Sequence, residues 1–206
     1  MLASIVPLVE RARNRSWGVT AAAYVVGSVL AGSVLGGALG AAGHGLLGAS
    51  RPGQGLLLAV AAVACAVGCA LDLGLGGLSV PTVHRQVNED WLGRYRGWVC
   101  GLGFGVQLGL GVVTIVTTAS VYLVFVLAFL SASWLVGAML GATFGLARAL
   151  PLLAMARVAT PGQLRAKHRR MQSLAPTAAR AAIGVQCAAA VAGVAGAVAV
   201  AGVVSP

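Results

Sequence analysis

Acid is nearly absent from this sequence. Of 206 residues only four are Asp or Glu, and charged residues of every kind make up 9%. A soluble domain carries about 25% charged residues, so no polar shell can be built here and most of the surface must face lipid. Paired-carboxylate catalysis has almost no material to work with. The sequence also lacks a phosphate loop, a metalloprotease signature, an acyl-transfer triad and a dinucleotide fingerprint. The start is not expected to be a secretory signal: Met1 to Leu8 is apolar, but Glu10, Arg11, Arg13 and Arg15 follow in the wrong order for one. Cysteine is sparse and misplaced for a secreted disulfide framework, since Cys65, Cys69, Cys100 and Cys187 all lie within or beside apolar runs.

What is present is hydrophobic. Apolar residues form 59% of the chain, and the mean hydropathy is +0.93. This predicts an all-α integral membrane protein of one membrane domain. A crossing helix needs about 20 apolar residues, and five segments satisfy this: Val19 to Gly48, Gly55 to Leu78, Trp98 to Leu130, Trp134 to Ala156, and Thr177 to Val204. The first and third exceed one straight crossing, so each is expected to be tilted, broken or re-entrant. The run Thr114 to Thr118 is a natural break, because its hydroxyls can satisfy freed backbone groups.

The net charge of +10 would suggest nucleic acid in a soluble protein. Here the basic residues flank apolar segments, so no nucleic acid is expected. Arg11, Arg13 and Arg15 precede the first segment, the expected loop after the second carries Arg85, Arg94 and Arg96, and the expected loop after the fourth carries Arg157, Arg165, Lys167, Arg169 and Arg170. The alternate connections carry at most Arg51. This asymmetry places the N-terminus in the cytoplasm and the C-terminus outside. The basic stretches are expected to meet anionic lipid, and residues 1–17 to lie on the membrane surface. Trp17, Trp91, Trp98 and Trp134 fall near the interfaces. The Ala-, Val- and Gly-rich composition fits a bacterial plasma membrane protein.

Thirty glycines in such a chain mark packing faces. Gly32, Gly36 and Gly40 recur every four residues, as do Gly101, Gly105 and Gly109, and Gly137, Gly141 and Gly145. That spacing lines one helix face and lets backbones approach closely. The chain also resembles itself at an offset near 80 residues: Cys69 to Leu73 against Arg148 to Leu152, and Pro81 to Arg85 against Pro161 to Arg165. Residues 18–97 and 98–176 then form two parallel internal repeats, with 177–206 a final helix.

The run Gly103 to Thr114, followed by a span ending in Gly141 to Gly145 and Leu150-Pro151, resembles the transmembrane thiol–disulfide carriers of the CcdA and DsbD type. More loosely it resembles the LysE-type exporters. The resemblance covers about 55 residues, and it implies a helical electron carrier with a Pro-Cys pair after the glycine-rich helix. This chain has Ile115 and Val116 at that place, so no redox residue of the family carries over.

Several residues are candidates for chemistry. Cys65 and Cys69 lie four apart on one helix face and could join a redox couple or hold a soft metal if Cys100 or Cys187 were added. Asp72 and Arg148 are intramembrane charges, and a pair between the repeats would satisfy both. Gln107, with Thr114, Thr117 and Thr118 beyond it, is a candidate substrate path. His44 ends a glycine row near the outer face. The sequence favours a small transporter for a solute or ion, needing no cofactor. Against it stand a structural or accessory subunit, with partner membrane subunits or copies of itself, and a membrane thiol–disulfide electron carrier.

Overall fold

The computed structural model describes residues 7–12, 14, 16–50, 52–75, 95–111 and 118–204. Among these residues the protein is helical and holds no strand, as an all-α membrane protein requires. Seven helices follow in order: α1 (Pro7–Ala12), α2 (Trp17–Ser50), α3 (Gln54–Asp72), α4 (Gly97–Gly109), α5 (Ser120–Leu130), α6 (Trp134–Ala154) and α7 (Pro161–Val204). Four of them, α2, α3, α6 and α7, are long and apolar enough to cross a bilayer.

Helix α2 is the spine. Its 34 residues rise about 50 Å at 1.5 Å each, more than the bilayer's hydrocarbon core of about 30 Å. Two glycine seams fasten its neighbours. On one side Gly32, Gly36 and Gly40 face the carbonyls of Gly141, Gly137 and Ser133, so α6 runs antiparallel to α2. On the other side Gly101, Gly105 and Gly109 face the carbonyls of Thr20, Tyr24 and Ser28, so α4 runs parallel to it. A Cβ at any of these glycines would collide with backbone rather than with a movable side chain. The approach replaces the hydrophobic drive that lipid removes. Ser28 adds a hydrogen bond across the seam, its Oγ donating to the Gly145 carbonyl at 2.8 Å. Ala21, Tyr24, Cys100, Phe104, Ala149 and Leu152 fill the core where α2, α4 and α6 meet.

Helices α3 and α7 form a second, antiparallel pair. A Cβ on Gly55 would touch Val200, and one on Gly193 would touch Ala62. The pair joins the three-helix core chiefly through α5, where Gly68 packs under Leu123 and Ala119.

The third segment is broken, as its length allowed, into α4 and α5. The first is one continuous long helix, α2. Within the second segment α3 ends at Asp72, and residues 76–78 lie outside the described residues. One expectation needs correction: the basic stretch Arg165 to Arg170 is not a loop but lies in the first third of α7, a single 44-residue helix. Its start explains this. Pro161 occupies the first helical position, where its missing N–H costs nothing. Thr160 Oγ1 accepts the Gln163 amide at 3.3 Å, and Gln163 Oε1 accepts the Ala159 amide at 2.9 Å, a reciprocal cap. Helix α1 packs against the bundle: Leu8 and Val9 lie on Met155 and Val158, and the buried Glu10 carboxylate accepts from Thr20 Oγ1 at 2.8 Å.

Candidate functional site

The interruption between α4 and α5 is where polar groups collect. Its depth can be read against α2. The end of α4 packs at Ser28, and Phe129 near the end of α5 packs at Gly43. The helix ends that flank the break therefore lie between those levels of α2.

Each side of the break is held by a charged residue. Helix α4 ends at Gly109, and Gly111 adopts a φ of +68°. Glycine is required there twice over, by the left-handed backbone and by space, since a Cβ would stand 2.9 Å from Phe125 Cζ and 3.1 Å from Phe144 Cε1. The two rings meet edge to face at 5.6 Å. The Arg148 guanidinium lies 5.4 Å from the Phe144 ring centre and donates from Nη1 to the Gly111 carbonyl at 3.5 Å. A cation thus sits at the negative end of the α4 dipole.

Across the break, Asp72 serves α5. Its Oδ1 accepts the Ala119 amide at 2.7 Å, at the first turn of that helix. An anion at the positive end of a helix is the favourable arrangement. The other oxygen, Oδ2, accepts from Gln186 Nε2 of α7 at 2.9 Å. The same amide nitrogen donates to Ser120 Oγ at 2.7 Å. Gln186 is 4% exposed, and its Oε1 is buried with no hydrogen-bond partner. A buried acceptor left unmade costs about 1–3 kcal/mol, so this oxygen is a marked feature of the junction.

The thiols gather one turn away. Cys69 lies three residues before Asp72 on α3, and its Sγ donates to the Ile183 carbonyl of α7 at 3.7 Å. Ile183 lies one helical turn before Cys187, the residue after Gln186, so the two cysteines are neighbours across the α3–α7 pair. Cys65 is a further turn along the same face and is buried like Cys69, whereas Cys187 is exposed. None of the four cysteines is in a disulfide. Cys100 is elsewhere, in the core between α2 and α4. Among the described residues no three Cys, His, Asp or Glu side chains converge as a metal site would need.

The structure therefore brings together Cys65, Cys69 and Asp72, and adds Cys187, Gln186 and Ser120. The expected Asp72–Arg148 pair is replaced by separate attachments of the two residues to backbone groups on either side of the break. Gln107 is half-buried on α4, two residues past Gly105 and so turned from the α2 seam. Thr118 is half-buried beside Ala119, while Thr114 and Thr117 lie outside the described residues. His44 is exposed and its Nδ1 lies 3.2 Å from the Ala132 carbonyl. The available signal for Gln186 was a lone carboxamide inside the last apolar run.

Comparison with known proteins follows the same direction. The profile of the family described as cytochrome C biogenesis protein transmembrane region matches residues 1–188. The chain is 34% identical over 136 residues to the methylamine utilization protein MauF of Methylophilus methylotrophus, covering 66% of this chain and 47% of that protein. It is 36% identical over 129 residues to MauF of Methylorubrum extorquens, covering 63% and 43%. It is 37% identical over 139 residues to MauF of Paracoccus versutus, covering 66% and 49%. The chain thus spans about half the length of the curated relatives it matches. No solved structure matches it. LysE-type exporters receive no support from these matches.

Proposed function

The chain belongs to the family of the cytochrome c biogenesis protein transmembrane region, and from that premise we propose that it exchanges thiols and disulfides within the membrane through Cys69 and Cys187. One observation carries the reading: the Cys69 thiol of α3 donates to the Ile183 carbonyl of α7, one turn before Cys187, close to a carboxylate fixed by the Ala119 amide. The couple is this chain's own, since the glycine-rich run holds Ile115 and Val116 where the Pro-Cys pair of the carriers would lie. Exposure of Cys187 and burial of Cys69 suit the two partners of an exchange, one meeting an external sulfur and one resolving it. The protein would act in the bacterial plasma membrane with its N-terminus cytoplasmic. The basic first third of α7 would rest on anionic lipid there. A role in cytochrome c biogenesis or in methylamine utilization is in keeping with the family and with the names of the relatives.

Thiol trapping in native membranes tests this. A mass-tagging alkylator applied with and without prior reduction is expected to leave Cys69 and Cys187 protected together unless the reductant comes first. Equal labelling of both under the two conditions overturns the reading.

A second reading, movement of a small solute, draws on the crossing broken between α4 and α5, a feature that lines substrate paths in transporters. Uptake into proteoliposomes that survives replacement of both Cys69 and Cys187 by Ser would favour it. The accessory role is favoured by α7, whose best apolar stretch is only 6% buried within the chain. Co-purification of a partner subunit in mild detergent would be its mark.

A further inference from the structure

We propose that Asp72 accepts the Cys69 proton when the Cys69–Cys187 disulfide closes, and that Gln186 changes its hydrogen bonds to hold the proton there. This rests on the thiol-exchange reading above and gives its chemistry a base.

Three observations converge. Cys69 and Asp72 are three residues apart on α3, hence on one face and one turn apart. The carboxylate is oriented rather than loose, held by the Ala119 amide and by Gln186 Nε2. Third, Gln186 Oε1 is buried and unpartnered. With Asp72 ionised, only the nitrogen end of the amide can serve it, because a carboxylate is purely an acceptor. Once Asp72 carries a proton it becomes a donor, and a rotated Gln186 can accept that O–H through Oε1. The orphaned oxygen thus acquires a partner in the protonated state alone. Gln186 immediately precedes Cys187, so one turn of α7 carries the amide on Asp72, the Cys187 thiol and the Ile183 carbonyl to which Cys69 donates. The titratable groups near Cys69 are Cys65 and Asp72 from α3 and Cys187 from α7, while α5 brings the neutral Ser120 hydroxyl to the junction and the Tyr122 phenol to the cavity lined by Gly68 and Leu71.

The steps balance as follows. The exposed Cys187 thiol meets the disulfide R–S–S–R of an external thiol–disulfide carrier, giving Cys187–S–S–R and one R–SH. Cys69 then gives its proton to Asp72, and its thiolate attacks the Cys187 sulfur. The Cys69–Cys187 bond forms, the Cys187–SR bond breaks, and R–S⁻ leaves with the electron pair. The leaving thiolate takes up the proton as Asp72 returns to carboxylate. The chain has lost two electrons and two protons, and the external disulfide has become two thiols. Only the thiolate attacks in such exchange, so a base beside the buried thiol governs the second step and not the first.

The test uses the reduced full chain in lipid nanodiscs and an aromatic disulfide whose released thione absorbs light. The first equivalent reports attachment at Cys187, the second reports closure, and peptide mass spectrometry assigns each bond. Asp72→Asn keeps an acceptor for Ala119 and a hydrogen-bonding partner for Gln186 but cannot take a proton. It is expected to leave the first step unchanged and slow closure by about a hundredfold, within the range for a positioned base, while flattening closure's dependence on pH. Asp72→Glu, which restores a carboxylate, is expected to recover most of the rate. Closure in Asp72→Asn at the wild-type rate, or an Asp72→Glu protein as slow as the Asn variant, overturns the inference while leaving the thiol pair intact. A wild-type chain that releases one equivalent and never closes overturns the thiol-exchange reading itself. Should Asp72→Asn fail to fold, the Glu variant decides alone: closure restored with a displaced pH profile supports the base, and an unmoved profile refutes it.

Discussion

Asp72 and Arg148 hold the two sides of one interrupted crossing, the arginine on the carbonyl of Gly111 just past α4 and the aspartate on the amide of Ala119 that starts α5. Each charge lies at the dipole end that favours it. Two ionised groups in an apolar bundle are thereby stabilised by backbone rather than by each other. The break leaves peptide groups that no helix ladder satisfies, and these two side chains meet one on each side.

Replacement of Asp72 by Ala removes the cap of α5 and leaves the Gln186 amide nitrogen with Ser120 alone. A lost cap costs about 1 kcal/mol, and a buried amide short of a partner costs about 1–3 kcal/mol more. Thermal unfolding in detergent micelles, followed by tryptophan fluorescence, should show a clear drop for Asp72→Ala and less than half of it for Asp72→Asn. Equal drops would mean that the charge, not the hydrogen bonding, holds α5.

The glycine seams should tolerate no methyl group. Gly36→Ala or Gly141→Ala sets a Cβ against the opposing backbone carbonyl, whereas Gly45→Ala and Gly48→Ala meet nothing within 4 Å. Overpacking of a rigid contact costs about 1–3 kcal/mol. The seam variants should lose yield and melt early in the same assay, and the two controls should match the wild type.

The Arg148–Phe144 stack should be measurable as a coupling. Arg148→Met, Phe144→Leu and the double variant form a cycle around the 5.4 Å contact. Cation–ring pairs removed from water contribute up to about 2 kcal/mol. A coupling below about 0.3 kcal/mol, the ordinary scatter of independent sites, would show that the ring contact adds nothing to the hold of Arg148 on the bundle.

One substitution should stabilise. Ala132 sits between α5 and α6 with a φ of +45°, a left-handed conformation that a Cβ disfavours. Ala132→Gly relieves that strain and preserves the carbonyl that faces His44. A gain of about 0.5–1 kcal/mol is expected, read as a raised melting temperature; no gain would show that glycine's extra freedom in the unfolded chain cancels the relief.

Much of the architecture was legible because membrane constraints are simple. Apolar runs gave the helices, four-residue glycine spacing gave the seams, and the hydroxyl run at Thr114 to Thr118 lies in the stretch that separates α4 from α5. The start of α7 was not legible as helix. Its charges suggested a loop, but Arg, Lys, Gln and Met are good helix formers, and the Thr160–Gln163 cap together with Pro161 starts the helix before the charges begin. The site was legible by halves. Spacing joined Cys65, Cys69 and Asp72 along one helix. The contribution of Gln186 and Cys187 arises only when α7 folds back antiparallel on α3, a pairing that spacing within one segment does not encode.

The two seams on α2 carry an evolutionary consequence. Every seam glycine is opposed by main chain, which no second substitution can trim. Compensating pairs, the usual route by which a core drifts, are therefore closed to the α2, α4 and α6 unit, and its residues are held to a single amino acid. The outer face of α7, where Val185, Val191 and Val198 are exposed, carries no such restriction. Across homologous chains, variation should collect on that face and any interface with another protein should diversify there first.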